Sequence, residues 1–199
     1  MCMKQLGIMA FGSLIEDPGQ ELGPTIVERI PVITPFAVEF AKYSSTRGGA
    51  PTLAPVRHGG QPVNAMVFVL DAGVSQVSAV DMLWRRETRN VGTGKRYPAK
   101  HSPKAVRVRK LVDFEGVACV LYTDFYARGK LLKPKAAALA RRAVRSVQLA
   151  ARGKDGISYL MQAMSVGIST PLMKAYQNEI LRITGSDSLS SALEKVRIH

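Results

Sequence analysis

The order of the predicted elements constrains the fold of this 199-residue chain more than any other feature. Strand patterns fill the first 125 residues, and only one helical pattern, from Ser75 to Glu87, interrupts them. Helical periodicity dominates from Pro134 onward. This order lacks the regular alternation of strands and helices that indicates a doubly wound parallel sheet. It predicts an α+β fold: a closed or nearly closed mixed β-barrel with surrounding helices and a helical C-terminal tail.

The predicted elements form one domain over residues 1–199, with a basic helical insertion near 128–156. The barrel prediction places five apolar side chains on one interior: Phe11, Val38, Phe40, Val67 and Val69. The strands are predicted at 8–11, 26–33, 36–43, 63–70, 106–112 and 116–125. The later helices are predicted at 134–151, 157–166 and 171–183, with a last one beginning near Asp187.

The net charge of +13 is distributed unevenly along the chain. Residues 1–84 carry five Lys and Arg against seven Asp and Glu, whereas residues 85–199 carry 23 against eight. Such a basic half attracts polyanions, but aromatic residues do not alternate with the basic ones as a stacking platform for bases requires. We therefore expect only weak, non-specific polyanion binding, and a solvated basic surface is the simpler interpretation.

The cysteine content and the hydropathy exclude two classes of protein. Cys2 and Cys119 cannot form a disulfide framework, which favours a reducing compartment. No apolar run approaches the ~18 residues of a membrane span, and the amino terminus lacks a signal-peptide pattern. We therefore expect a cytoplasmic protein with no membrane partner. The sequence does not indicate an oligomeric state.

The stretch from Ile8 to Ile15 is an apolar strand that runs directly into a tight turn. Gly12 and Ser13 break the strand, and glycine permits a bend that leaves backbone amides accessible to a ligand. An ordinary turn after a strand explains the same sequence. The alternative is a binding loop made by Phe11, Gly12, Ser13 and Leu14.

Glu87 is the candidate catalytic residue. It follows Leu83 by four residues and Val80 by seven, so it extends the apolar stripe that also contains Val77 and Trp84. A carboxylate facing a core is a usable proton acceptor near neutral pH. The simpler alternative is a glutamate at a helix end that pairs with an arginine.

A third candidate is the loop from Ser44 to Val56, which combines hydroxyl groups, Arg47 and a glycine pair. The planar guanidinium of Arg47 suits a carboxylate, although a plain surface connection explains the loop equally well. Metal ligands are scattered, because His58, His101 and His199 lie far apart and no Cys-x-x-Cys occurs. We therefore predict no metal site and no cofactor.

Together these motifs resemble the gamma-glutamylcyclotransferase-like family. Phe11-Gly12-Ser13-Leu14 matches its loop after the first strand, and the segment ending at Glu87 matches the one that holds its catalytic glutamate. Further matches are Phe40 and Ser44, the stretch Gly48-Gly49-Ala50-Pro51-Thr52, Tyr97, Tyr126, Gly167-Ile168, Tyr176 and Leu181. The resemblance covers most of the chain apart from the basic insertion. Trp84 and Thr88 depart from it, since the family usually has Asp and Gly there, and Phe11 replaces the commoner Tyr.

The resemblance implies a barrel enzyme of the transferase or lyase type that acts in glutathione metabolism. Such an enzyme releases 5-oxoproline from a small gamma-glutamyl substrate and needs neither cofactor nor metal. Glu87 would be catalytic, and Phe11, Gly12, Ser13, Leu14, Arg47, Tyr97 and Tyr126 would bind substrate. The leaving group is not indicated. The alternative is a protein of the same fold that binds a small anion or nucleic acid without turnover.

Overall fold

A computed structural model describes residues 4–100, 105–125 and 134–198. The described residues fall into two compact units, the first within 1–34 and 64–128 and the second within 35–63 and 129–199. The division leaves the single-domain assignment as a prediction. Among the described helices, none combines the length and the apolar character needed to cross a membrane.

The first unit is a mixed sheet of five strands with one helix. The strand order is β2-β5-β1-β7-β6, where β1 is parallel to β7 and antiparallel to β5. The strands are β1 (Lys4–Ala10), β2 (Ile26–Ile33), β5 (Asn64–Leu70), β6 (Val106–Phe114) and β7 (Val117–Phe125), and the helix is α1 (Gln76–Thr88). Ile8, Met9 and Ala10 are buried because β1 is the central strand. Gly7 keeps β1 close to its neighbours, since a Cβ there would lie 2.7 Å from Cγ1 of Val67.

The second unit is an antiparallel strand pair with four helices. The strands are β3 (Val38–Ser44) and β4 (Ala50–Pro55), and the helices are α2 (Ala136–Leu149), α3 (Gly156–Ser165), α4 (Met173–Thr184) and α5 (Leu189–Ile198). Aromatic residues form the centre of its core. The ring of Phe40 meets those of Tyr159 and Tyr176 edge to face, with centroids 6.2 and 5.1 Å apart.

The α+β class is confirmed, but no closed barrel is found among the described residues. The five-stranded sheet ends at β2 and β6, and β3 pairs with β4 in a separate sheet. Val38 and Phe40 therefore lie in a different sheet from Val67 and Val69, and the predicted common interior is not confirmed. The reason is that the buried face of β3 packs on aromatic residues from the helical part of its own unit.

Most element boundaries agree with the predictions to within a few residues, but β4 (Ala50–Pro55) lies inside the loop that was predicted over residues 44–56. Two further exceptions have physical causes. Val77 was expected on the inward stripe of α1, yet it is 69% exposed because α1 buries residues only in its middle, at Ala79, Met82 and Leu83. The start of α4 also differs from the predicted residue 171. The hydroxyl of Thr170 donates to Glu39 instead of capping the helix, and α4 begins at Met173.

Candidate functional site

The turn after β1 has the backbone that its sequence predicts. Gly12 is buried with φ of 60°, a left-handed conformation that glycine adopts without strain. A short 3-10 turn follows over Gly12–Leu14, closed by a hydrogen bond from the Ile15 amide to the Gly12 carbonyl at 3.2 Å. No described residue accepts a hydrogen bond from the amides of Ser13 and Leu14. The turn therefore has two backbone donors that the described fold does not use.

Helix α1 carries Glu87 near its C-terminal end. Ser75 caps its start, since its hydroxyl accepts from the Ser78 amide at 3.1 Å. Arg89 ends the helix with φ of 60°, which turns the chain away directly after Thr88. The Glu87 side chain is 17% exposed, as expected from its position one turn after the fully buried Leu83. The side chain as a whole is thus partly withdrawn from solvent.

Arg86 connects the end of α1 to the chain segment that follows the turn. Its Nε and Nη2 atoms donate to the carbonyl oxygen of Asp17 at 3.2 and 2.8 Å, and the Asp17 amide donates to Ser13 at 3.0 Å. The same guanidinium lies 3.8 Å from Oε1 of Glu87. Gly19 makes room for this side chain, because a Cβ there would lie 3.1 Å from Cδ of Arg86. Arg86 thus lies beside Glu87 and binds the segment that follows the Gly12 turn.

A second arginine fixes the loop that follows α1. Arg85 pairs with Glu21 at 2.7 Å and donates to the Lys95 carbonyl at 2.8 Å, and the other Glu21 oxygen accepts from the Gly92 amide. Burial of Glu21 acts to raise its pKa, but the hydrogen bonds from Gly92 and Arg85 outweigh it and lower the pKa. The Glu21 carboxylate therefore stays charged and binds both Arg85 and the Gly92 amide.

Tyr97 lies in the same unit but is engaged by the fold. Its ring meets that of Trp84 at 6.3 Å, its amide donates to Asp81 at 2.7 Å, and its hydroxyl accepts from the Val108 amide at 3.1 Å. Trp84, which stands where the resemblance expects Asp, thus serves as the packing partner of Tyr97. These contacts give Tyr97 a role in joining α1 to β6.

The other two predicted binding residues do not join this group. Arg47 belongs to the second unit, where its guanidinium lies 4.5 Å from the Tyr159 ring centroid and donates to the Lys154 carbonyl at 3.3 Å. Tyr126 lies outside the described residues. The first unit therefore brings together Phe11, Gly12, Ser13, Leu14, Glu87 and Tyr97, with Phe11 and Ser13 half-buried.

Two polar residues in the second unit had not been singled out. Glu39 alternates with Val38 and Phe40 in β3, yet it too is buried, with 1% of its surface exposed, and it accepts three hydrogen bonds. The Tyr176 hydroxyl is buried without a hydrogen-bond partner among the described residues. The alternation in β3 gave no signal for Glu39, because its partners Thr170 and Leu172 lie more than 130 positions later.

A groove of about 550 Å³ lies on the helical part of the second unit. Aliphatic side chains of Val144, Leu149, Ile183 and Val196 line it, with Arg145 and Lys195 beside them. Its lining includes no carboxylate, so it lacks the group that proton transfer to or from an amine requires. Among the described residues, no group of three or more His, Cys, Asp or Glu could hold a metal ion.

Comparison with known proteins adds no assignment to this geometry. No protein-family model matches the chain, and no curated protein matches it significantly.

Proposed function

We propose that this chain is a gamma-glutamylcyclotransferase-like enzyme that releases 5-oxoproline from a gamma-glutamyl amide. The observation that carries the proposal is the largely buried Glu87, linked through Arg86 to the segment that leaves the Gly12–Leu14 turn. The sequence resemblance assigns catalysis to the same glutamate and substrate binding to the same turn. The chemistry needs these two parts in one unit and does not itself require a closed barrel.

The reaction is an intramolecular acyl transfer. The substrate's α-amine attacks its own γ-carbonyl carbon, a C–N bond closes the five-membered ring, and the bond to the leaving amine breaks. The α-amine is protonated in water, so it must lose a proton before it can attack. Glu87 accepts that proton and then delivers it to the leaving nitrogen. The attacking nitrogen becomes cationic as the ring closes, and its second proton also passes through Glu87 to the departing amine, which leaves as an ammonium, so that no net proton is gained or lost. Because nucleophile and electrophile belong to one molecule, holding the folded conformer contributes much of the rate.

The Gly12–Leu14 turn supports the second half of this mechanism. Negative charge develops on the carbonyl oxygen as the ring closes, and pre-oriented amides stabilise such an oxyanion without reorganisation. Ser13 and Leu14 have amides that no described residue uses. The Arg86 guanidinium lies 3.8 Å from Oε1 of Glu87, beside the carboxylate that accepts the first proton. The same turn is an alternative site for the substrate's α-carboxylate.

The test measures 5-oxoproline release from gamma-glutamyl amino acids, gamma-glutamyl amines and glutathione. We expect the parent to turn over at least one class, and Glu87→Gln to lose about 10²–10⁴-fold in kcat, the usual share of a general acid–base. Glu115→Gln is the matched control, because Glu115 lies exposed in the turn between β6 and β7 of the same unit. If Glu87→Gln kept the parent's rate, the proposal would be wrong.

A further inference from the structure

The apolar groove of the second unit has the size of a small-molecule site. Its volume is about 550 Å³, within the ~300–1,000 Å³ that is typical of ligand pockets. Three helices line it: α2 contributes Val144 and Leu149, α4 contributes Ile183, and α5 contributes Val196. All three helices belong to one unit, so the whole lining lies within that unit.

Apolar surface remains uncovered along this groove. Leu149 is 60% exposed, and Val144, Ile183 and Val196 are half-buried. Single exposed aliphatic residues are normal on a protein surface, but four that line one concave surface are typical of a binding site. A hydrocarbon chain that packs against them leaves water together with this surface, which is the favourable contribution to apolar binding.

Two basic side chains line the same groove. Arg145 is exposed on α2, and Lys195 is exposed on α5, where its Nζ donates to the Gly185 carbonyl at 3.3 Å. Neither forms an ion pair with a carboxylate of the described residues, whereas Arg197, also on α5, lies 3.6 Å from the buried Asp155. The planar guanidinium of an arginine can donate two parallel hydrogen bonds to one carboxylate. The groove thus has apolar walls and two cations without a carboxylate partner in the described part of the chain.

The size and the charge of the groove decide which occupant fits. A protein partner usually contacts about 20–30 residues on each side, whereas eight described residues line this groove. A second copy of the chain would bring its own excess of positive charge, since ranges 35–63 and 129–199 carry fifteen Lys and Arg against five Asp and Glu. Like charges that meet across an interface oppose association. The occupant that fits is small, apolar along its length and anionic at one end.

We propose that the groove between α2, α4 and α5 binds an aliphatic carboxylate of the fatty-acid class. The hydrocarbon chain packs on the four apolar side chains, and both oxygens of the carboxylate accept hydrogen bonds from the Arg145 guanidinium. Lys195 adds a second positive charge in the same groove. This inference goes beyond the cyclotransferase proposal and is independent of it, because Glu87 lies in the first unit and the groove lies in the second.

The test is calorimetric titration of the full chain with hexanoate, octanoate and decanoate, each below its micellar concentration. We expect saturable binding of one carboxylate per chain. Each added methylene should tighten binding about two- to fourfold, because complete removal of one CH₂ group from water contributes about the larger factor. Octyltrimethylammonium has an alkyl chain of similar length but a cationic head, so it should bind about tenfold more weakly than octanoate, or worse.

Two variants separate recognition of the carboxylate from recognition of the chain. Arg145→Gln should weaken octanoate binding about fivefold or more and leave 1-octanol binding within about twofold, because only the carboxylate uses the guanidinium. Its matched control is Lys174→Gln, which removes a positive charge from an exposed position about 14 Å along α4 from Ile183 and should leave both affinities unchanged. Leu149→Ala should weaken binding of both ligands about threefold or more. Its control is Val77→Ala, at an aliphatic residue of the first unit that is 69% exposed.

The proposal is overturned if octanoate does not saturate, if affinity does not rise with chain length, or if octyltrimethylammonium binds as tightly as octanoate. Equal losses in Arg145→Gln and Lys174→Gln would also contradict it, because general charge rather than the groove would then account for binding. A parent that sediments as a dimer and a Leu149→Ala variant that sediments as a monomer would show that a second copy covers the groove. Octyl phosphate that binds about tenfold more tightly than octanoate, or better, would contradict the carboxylate class.

Discussion

Replacing Glu39 by alanine removes the acceptor of three hydrogen bonds in the core of the second unit. Its Oε1 accepts from the Phe40 amide at 2.7 Å and from the Thr170 hydroxyl at 2.6 Å, and its Oε2 accepts from the Leu172 amide at 3.0 Å. The last two bonds hold the segment that leads into α4 against β3. Glu39→Ala therefore leaves three donors without their acceptor. Two of these donors, the Phe40 amide and the Thr170 hydroxyl, belong to buried residues.

The expected loss follows from these contacts. An unsatisfied buried donor costs about 1–3 kcal/mol, and Glu39→Ala leaves two buried donors and one half-buried donor without an acceptor. We expect Glu39→Ala to lower the free energy of unfolding of the second unit by about 3–5 kcal/mol. Glu39→Gln should lower the free energy of unfolding by less, about 1–3 kcal/mol. The oxygen of its carboxamide still accepts hydrogen bonds, but the NH2 group replaces the other acceptor and meets a donor.

The assay is urea denaturation followed by far-ultraviolet circular dichroism. The control is Glu179→Ala, which breaks a solvent-exposed pair with Arg182 at 2.9 Å and should cost no more than about 1 kcal/mol. If Glu39→Ala and Glu179→Ala unfold at the same urea concentration, the hydrogen bonds of Glu39 do not stabilise the unit as expected. A change in the slope of the transition would instead indicate that the variant alters the surface exposed on unfolding.

Three further predictions concern other parts of the second unit and its charge. Tyr176→Phe should leave stability unchanged or raise it by about 1 kcal/mol, because an unpaired hydroxyl is removed. The folded-state pKa of Tyr176 lies above the unfolded value of about 10, so the stability of the parent should fall as the pH rises above that value. Melting curves over this alkaline range should show a smaller loss of stability for Tyr176→Phe than for the parent. Gly48→Ala should cost about 1–3 kcal/mol more than Gly153→Ala in urea denaturation, because both have positive φ but only a Cβ at 48 meets Leu149, at 2.8 Å. RNA and DNA should bind weakly and dissociate at moderate salt in filter-binding measurements, because the basic residues lack interleaved aromatic platforms, and a complex that survives would contradict this.

Local patterns predicted much of this fold because they depend on residues close in sequence. The four-residue spacing from Leu83 placed Glu87 on the buried side of α1, and Gly12 marked the turn where the backbone needs positive φ. Alternation in β3 identified Phe40 as a core residue. Each of these properties follows from the period of one helix or strand, so no knowledge of tertiary partners was required.

Partners distant in sequence account for what was not predicted. The alternation in β3 indicates a buried face but not what covers it, so Val38 and Phe40 were assigned to a barrel rather than to the helical unit. Glu39 has the polar position of that alternation, yet the segment before α4 covers it. The stacking of Arg47 on Tyr159 likewise joins positions that no local pattern connects.

We claim that Glu87 transfers protons and that the Gly12–Leu14 turn recognises substrate. The most direct measurement compares turnover and binding in Glu87→Gln, using the best gamma-glutamyl compound of the parent. We predict that 5-oxoproline release falls about 10²–10⁴-fold while the calorimetric Kd stays within about threefold, because the carboxamide keeps the shape of the side chain but cannot accept the proton. Equal rates in Glu87→Gln and parent, or no 5-oxoproline from the parent with any of these compounds, would contradict the claim.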